Sequence, residues 1–220
     1  MGLWGCTNLG TDLNQVVAIE VTLPYGGNVE LADTLFPGSR ALDGRGDSVA
    51  ATIYWTSLDT AHVTVLDSTT GATLGKALGT GQIQARVGNL HSNPVAITVL
   101  AVPDTFFATR PTRDSVSISA KGDSLSDTLQ VEVADTNGGT TNGLSGRKVG
   151  FQITYPTDTT AFTLLPGDTV VTSASGLATL FVKLRNRTLP DSVVLTATAR
   201  HVRGTAIAGS PVTFTVIFAP

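Results

Sequence analysis

Apolar and polar residues alternate repeatedly along this chain. Val17, Ile19, Val21 and Leu23 share one side of an extended segment, with Ala18, Glu20 and Thr22 on the other. Val49, Ala51, Ile53 and Trp55 repeat the pattern, followed by Ile83, Ala85 and Val87, then Val95, Ile97 and Val99. The later half continues it. Leu129, Val131 and Val133 alternate, as do Val149, Phe151 and Ile153, and then Ala178, Leu180, Val182 and Leu184. Val193, Leu195, Ala197 and Ala199 follow, and Val212, Phe214, Val216 and Phe218 close the series. Successive side chains of a strand point to opposite faces, so this pattern predicts half-buried β-strands. Turn signals fall between them: Gly26-Gly27, Pro37-Gly38, Asp43-Gly44, Asn93-Pro94, Asn137-Gly138, Asn142-Gly143 and Pro166-Gly167. No window carries a sustained helical period with caps. The prediction is an all-β chain in which paired antiparallel sheets bury their alternating faces.

A break in the pattern divides the chain. Val95 to Leu100 reads as a closing strand that Pro103 ends, and a new strand series opens at about Ser115. The expected layout is a tail at 1–14, one sandwich at 15–101 and a second at 104–220. The linker around Ala101-Val102-Pro103-Asp104 is short enough to predict restricted bending.

Composition narrows the function classes. The 220 residues suit one or two domains. Hydrophobic residues make up 41% and charged residues only 14%, so Thr, Ser, Asn and Gly must dress the surface, as in β-rich extracellular proteins. Net charge is −3 and no Lys/Arg run exceeds two residues. Nucleic acid needs a concentrated basic face and is excluded as a partner. No stretch approaches the roughly 20 apolar residues of a membrane-spanning helix. Cys6 is the single cysteine, so neither an intrachain disulfide nor a cysteine metal site can form.

Leu3-Trp4-Gly5-Cys6 resembles a bacterial lipobox. Leu3, Gly5 and Cys6 match it, whereas Trp4 stands where a small residue is usual and only five residues precede Cys6. The resemblance implies lipidation at Cys6, a mature protein beginning there, and Thr7 to Asn14 as a polar tether. Membrane contact is then expected only through that lipid. The alternative is a free thiol in a tail.

Trp55, Ser57 and Asp59 are followed by Val63 and Val65, by Gly71, and by Gly79-Thr80 with Ile83. This order resembles bacterial immunoglobulin-like domains of group 2 over most of 15–101, with Gly81 as an addition. Trp55 is expected on the buried face of a central strand. Ser57 and Asp59 are expected to bond amides at the corner that follows. In the second half, Leu129 to Gly138 leads to Leu144-Ser145-Gly146-Arg147-Lys148-Val149-Gly150-Phe151 and then to Thr172 to Leu180. This is similar to the group 1 immunoglobulin-like domains of invasin-type and intimin-type adhesins. Together the resemblances imply two tandem immunoglobulin-like antiparallel β-sandwiches of a surface or exported protein.

Several motifs carry candidate chemistry. Gly122-Asp123-Ser124-Leu125 copies the nucleophile block of the Gly-Asp-Ser-Leu esterases, in which a downstream Asp-x-x-His supplies the base. Here His62 follows Asp59 at that spacing but lies upstream, in the other module, and the stretch reads instead as a polar turn. Arg45-Gly46-Asp47 is the tripeptide that integrins read and is a candidate receptor contact. His62 and His91 are weighed as metal ligands without an evident third. Acidic loops at Asp43/Asp47 and Asp135/Asn137 suit at most a weak calcium ion, and no cofactor is expected. Asn186-Arg187-Thr188 fits a glycosylation acceptor and marks a surface turn. Trp4, Trp55, Tyr25, Tyr54 and Tyr155 give too few free aromatics for a sugar platform.

The expectation is therefore a non-catalytic structural or adhesive protein: a stalk, spacer or filament subunit. Its partners would be a protein or glycan on another surface, or a second copy joined through sheet edges or the N-terminal tail. A carbohydrate- or protein-binding module of an extracellular or phage assembly is the alternative, and an esterase a further one.

Overall fold

Alternation becomes pairing in the computed structural model, which describes residues 14–118, 124–136, 140–185 and 192–219. Cys6, Trp4, Gly122, Asp123, Asn137, Gly138 and the Asn186-Arg187-Thr188 acceptor lie outside them. The chain divides into two units, Met1–Leu100 and Ala101–Pro220.

The first unit contains β1 (Ala18–Thr22), β2 (Asn28–Glu30), β3 (Thr34–Leu35), β4 (Gly38–Leu42), β5 (Ser48–Val49) and β6 (Tyr54–Ser57). They are followed by β7 (Val63–Val65), β8 (Thr73–Gly75), β9 (Gly79–Val87), β10 (Leu90–His91) and β11 (Val95–Leu100). One sheet runs β10-β9-β11-β2, with β6 also on β9; the others run β1-β4-β5 and β3-β8-β7. Val29, Leu35, Trp55, Val63, Ile83, Ala85, Ile97 and Val99 form the buried core between them.

The second unit contains β12 (Thr105–Ala108), β13 (Arg113–Ser117), β14 (Ser124–Leu125), β15 (Leu129–Asp135), β16 (Asn142–Gly143) and β17 (Lys148–Tyr155). Then come β18 (Phe162–Leu165), β19 (Thr169–Val171), β20 (Leu177–Leu184), β21 (Ser192–Ala199) and β22 (Val212–Ala219). One sheet runs β12-β15-β20-β14, with β16 on β15 and β18 on β20. The other runs β13-β22-β21-β17-β19. Every second residue of β20 and β21 is buried, so two inner faces interdigitate around Phe214, Leu195, Leu180 and Val131. In each unit the leading segment pairs first with one sheet and then with the other. This is an all-β, immunoglobulin-like sandwich architecture.

Four local expectations are corrected. The 49–55 alternation is not one strand: Val49 pairs with Ala41 while Trp55 pairs with Ala85, in different sheets. Burial still alternates through Ala51 and Ile53, because an extended backbone keeps its period of two while changing partners. The second strand series opens before Ser115, at β12, where Phe106 is 1% exposed. Asn142-Gly143 is more than a turn, since it pairs with Asp135 and Ala134. Val17 is not on a buried face; it is 54% exposed just before β1, although its amide donates to the Leu42 carbonyl at 2.8 Å.

Candidate functional site

The corner after Trp55 is built from its own side chains. Trp55 is buried on β6, and its backbone N–H donates to the Ser68 carbonyl at 2.7 Å. Its indole edge lies against Gly71, which has φ of 74°. A Cβ there would stand 2.8 Å from Trp55 Nε1 and from Pro37 Cγ, so only glycine fits. Ser57 Oγ donates to the Val63 carbonyl at 2.8 Å and accepts the Asp59 amide at 3.2 Å. Asp59 Oδ1 accepts the Ala61 amide at 3.0 Å, and Oδ2 stands 3.0 Å from His62 Nδ1. The hydrogen bond from His62, with that amide, holds the Asp59 carboxyl below its ordinary range. His62 therefore closes a corner with Asp59, and His91 stands exposed on β10. Among the described residues no group of three His, Cys, Asp or Glu is placed to hold a metal ion.

The Arg45-Gly46-Asp47 tripeptide occupies the exposed turn between β4 and β5. Asp43 organises it from beneath, with its side chain only 3% exposed. Its Oδ1 accepts the Arg45 and Asp47 amides at 2.8 and 3.0 Å, and the Arg45 amide leads in holding its carboxyl below the ordinary range. Arg45 Nε stands 3.6 Å from Asp43 Oδ2, and its guanidinium also donates to Asn14. The arginine is thus steadied by its own turn while its side chain stays 55% exposed. The same contacts surround the Asp43 carboxylate with N–H donors, which is a poor setting for calcium.

Ser124 is not in a turn. It is 8% exposed and pairs with Leu184 of β20. Ser126 Oγ accepts the Val182 amide at 2.8 Å and donates to the Asp127 carbonyl at 2.9 Å. Of the block that resembles an esterase nucleophile, the described residues Ser124 and Leu125 pair with β20, and His62 belongs to the other unit. An open depression of about 560 Å³ lies between β17 and β18, over Phe151, Ile153, Phe162 and Leu164, with Asp168 at its rim. Its lining includes no serine, cysteine or histidine.

Sequence reasoning missed three further carboxylates. Asp67 Oδ1 accepts Thr69 N–H and O–H at 2.8 and 2.7 Å, and the Thr69 hydroxyl leads in pulling its pKa down to about 2. Asp158 Oδ1 accepts the Thr160 N–H and O–H at 3.0 and 2.7 Å, and the amide leads in holding its carboxyl below the ordinary range. Asp104 accepts the Thr136 amide and hydroxyl, the latter at 2.6 Å. An Asp-x-Thr spacing signals the first two as local turns; nothing local signals Asp104, whose partner is 32 residues away. Buried Arg147 was also missed as a structural cation. Its guanidinium donates to the Ala101 carbonyl, and its amide to Thr172 Oγ1 at 2.9 Å.

No protein-family profile matches the chain, and no curated protein matches it. Solved structures do resemble it. The adhesin InvE of Yersinia pseudotuberculosis is 20% identical with a TM-score of 0.41, over 90% of this chain and 58% of that one. The fibronectin(III)-like modules of Clostridium thermocellum CbhA are 15% identical with a TM-score of 0.42, over 91% of this chain and 94% of that one. Domains 4–9 of the surface layer protein SbsC are 16% identical with a TM-score of 0.34, over 91% of this chain and 30% of that one. The chain therefore spans 58% of the InvE chain and 30% of this surface-layer chain. Likeness at this level says nothing of binding or assembly.

Proposed function

We propose that this chain is a non-catalytic structural or adhesive protein of a cell surface or the extracellular space. Its modules are group 2-like in 15–101 and group 1-like, of the invasin and intimin kind, in 104–220. It serves as a stalk, spacer or filament subunit. The observation that carries this reading is what the carboxylates do. Asp43, Asp59, Asp67, Asp104 and Asp158 each accept hydrogen bonds from a turn or neighbouring strand, which keeps them ionised and occupied. A carboxyl that acts as a general acid needs the opposite setting, one that raises its pKa toward the working pH.

The test is protease shaving of intact producing cells, followed by detection of the chain. Loss of signal without lysis supports a surface location, and protection until lysis refutes it. Cys6→Ser should release the chain from detergent-extractable membrane if the lipid anchor exists. A chromogenic short-chain ester assay comparing the wild type with Ser124→Ala should give no turnover in either, and turnover abolished by that change would refute a non-catalytic role.

Self-association has one specific observation in its favour. Phe36 and Leu66 directly follow β3 and β7, which flank β8, so the two exposed side chains stand at the same end of one sheet. Fibres in electron micrographs that disappear with Phe36→Asp would favour the filament subunit. A monomer at all concentrations would favour the stalk or spacer.

A further inference from the structure

Aspartate in this chain is almost always followed by a hydroxyl. Twelve of the fourteen Asp residues directly precede Ser or Thr, although Ser and Thr together are only 49 of the 220 residues. None of the eight Asn and none of the three Glu residues does so. We propose that the exposed Asp-Ser and Asp-Thr pairs are acceptors for O-linked sugar, which a transferase recognises by the carboxylate one residue before the hydroxyl.

Turn chemistry does not account for the pattern. Asp and Asn both close Asx turns, so a turn requirement would leave Asn-Ser and Asn-Thr pairs as well. The turns that are present also use a different position. Asp59, Asp67 and Asp158 accept the amides of Ala61, Thr69 and Thr160, each two residues on. Six of the hydroxyls that directly follow Asp are exposed: Ser48, Thr60, Ser68, Ser115, Thr159 and Thr169. No side-chain hydrogen bond ties any of the six to a described residue. Exposure on a strand suits Thr, but it sets no preference for the residue before it. What these sites share is a charge beside an accessible hydroxyl, and an enzyme can read that.

Their places in the fold fit a bulky, hydrated group. Ser48, Ser115 and Thr169 lie on β5, β13 and β19, each an edge of its sheet. An edge strand presents unpaired N–H and C=O groups to any other chain. A sugar on its side chain crowds out a strand that would lie alongside. Thr60, Ser68 and Thr159 lie in the connections β6–β7, β7–β8 and β17–β18, where a transferase meets open backbone.

The sugar comes from a nucleotide- or lipid-phosphate donor. Its C1–O bond to phosphate breaks and a bond from C1 to the acceptor hydroxyl oxygen forms. The hydroxyl proton passes to a base of the transferase, and the phosphate leaves with its carrier. A phosphoryl group is the competing modification of such a hydroxyl. It would bring about −1.5 to −2 charges next to an Asp whose Cα is about 3.8 Å away, so the two would repel. A neutral sugar brings no such cost.

The test is mass spectrometry of the full chain from its producing cells, against the same chain made in a host without O-glycosylation. The native chain should carry whole sugar residues, and electron-transfer fragmentation should place them on hydroxyls that follow Asp. Ser117, exposed on β13 and preceded by Val116, is the internal control and should stay bare. Asp114→Asn and Asp168→Asn keep a hydrogen-bonding oxygen and remove the charge. Each should cut occupancy at Ser115 or Thr169 about tenfold, the equivalent of one charge-assisted contact to the transferase, and leave the other sites occupied. A native chain without sugar would overturn the proposal. So would added mass that a phosphatase removes, sugar on hydroxyls without a preceding Asp, or full occupancy in both variants. A failed shaving assay would remove the surface role and leave the sugar as it is.

Discussion

Phe106→Ala is the sharpest test of the fold. Phe106 sits on β12, the short strand that alternation does not announce, and is 1% exposed in the core of the second unit. Its amide donates to the Ala208 carbonyl at 2.9 Å, and its strand pairs it with Val133. Truncating a fully buried phenylalanine costs about 3–5 kcal/mol, from lost transfer energy and the cavity left behind. That is a large share of the roughly 5–15 kcal/mol that stabilises a domain. For a unit of this size each kcal/mol shifts the midpoint by about 3–5 °C, so a fall of about 10–20 °C is expected. Phe107 is the control. It is half-buried, points to the other face and pairs with Glu132, so Phe107→Ala should cost no more than about 1 kcal/mol. Calorimetry reads both units, while tryptophan fluorescence reads the first alone, because Trp4 and Trp55 both belong to it. The Phe106→Ala loss should appear in calorimetry and leave the fluorescence transition in place. Equal losses for the two variants, or a shift in the tryptophan signal, would refute the assignment of β12 to the second core.

Gly71→Ala should destabilise the first unit by about 1–3 kcal/mol through a strained positive φ and a Cβ pressed on Trp55, read as an earlier fluorescence transition. Arg147→Ala should destabilise the second unit by about 2 kcal/mol, the worth of a hydrogen bond to a charged group, read by calorimetry. Acid should weaken both units. Asp67 has a folded pKa of about 2 against an ordinary 3.8, so its contribution is complete above about 4 and lost as pH falls through 2. Asp43, Asp59, Asp104 and Asp158 are lowered in the same direction and add to that loss. Asp67→Asn should flatten the acid limb of the first unit's urea midpoint against pH, and an unchanged limb would contradict the Thr69 contacts.

The second core was the most legible part of the sequence. Ala178, Leu180, Val182 and Leu184 are all buried, as their spacing requires, because a strand paired on both sides keeps a strict two-residue period. Burial was legible between 49 and 55 as well, but partners were not, since alternation records which face is covered and not which strand lies alongside. β12 escaped because it has four residues and two adjacent phenylalanines, too few for a period. Ser124 escaped because a two-residue ladder has no pattern of its own. The tripeptide at Arg45 was legible as residues, but its engagement by Asp43 is a matter of three dimensions.

The Asp59–His62 pair explains why chemistry is harder to read here than architecture. A carboxylate three residues before a histidine can orient an imidazole for catalysis, since all that use requires is hydrogen-bond reach. The same spacing equally closes a corner, because the two side chains meet at Nδ1 in either use. What separates the uses is the other edge of the ring. A catalytic imidazole turns Nε2 toward a hydroxyl or a substrate. Here a Cβ built on Gly79 would fall 2.6 Å from both Nε2 and Cδ2 of His62, so that edge lies over a glycine backbone at the start of β9. The φ of 129° at Gly79 leaves room for the ring. A side chain there would clash with the imidazole before it touched anything else, so Gly79→Ala should push His62 off Asp59. The measurable result is an Asp59 that titrates closer to its ordinary value by carbon-detected NMR, together with an earlier fluorescence transition for the first unit. An Asp59 titration unmoved by Gly79→Ala would mean that the ring is held by something other than this packing.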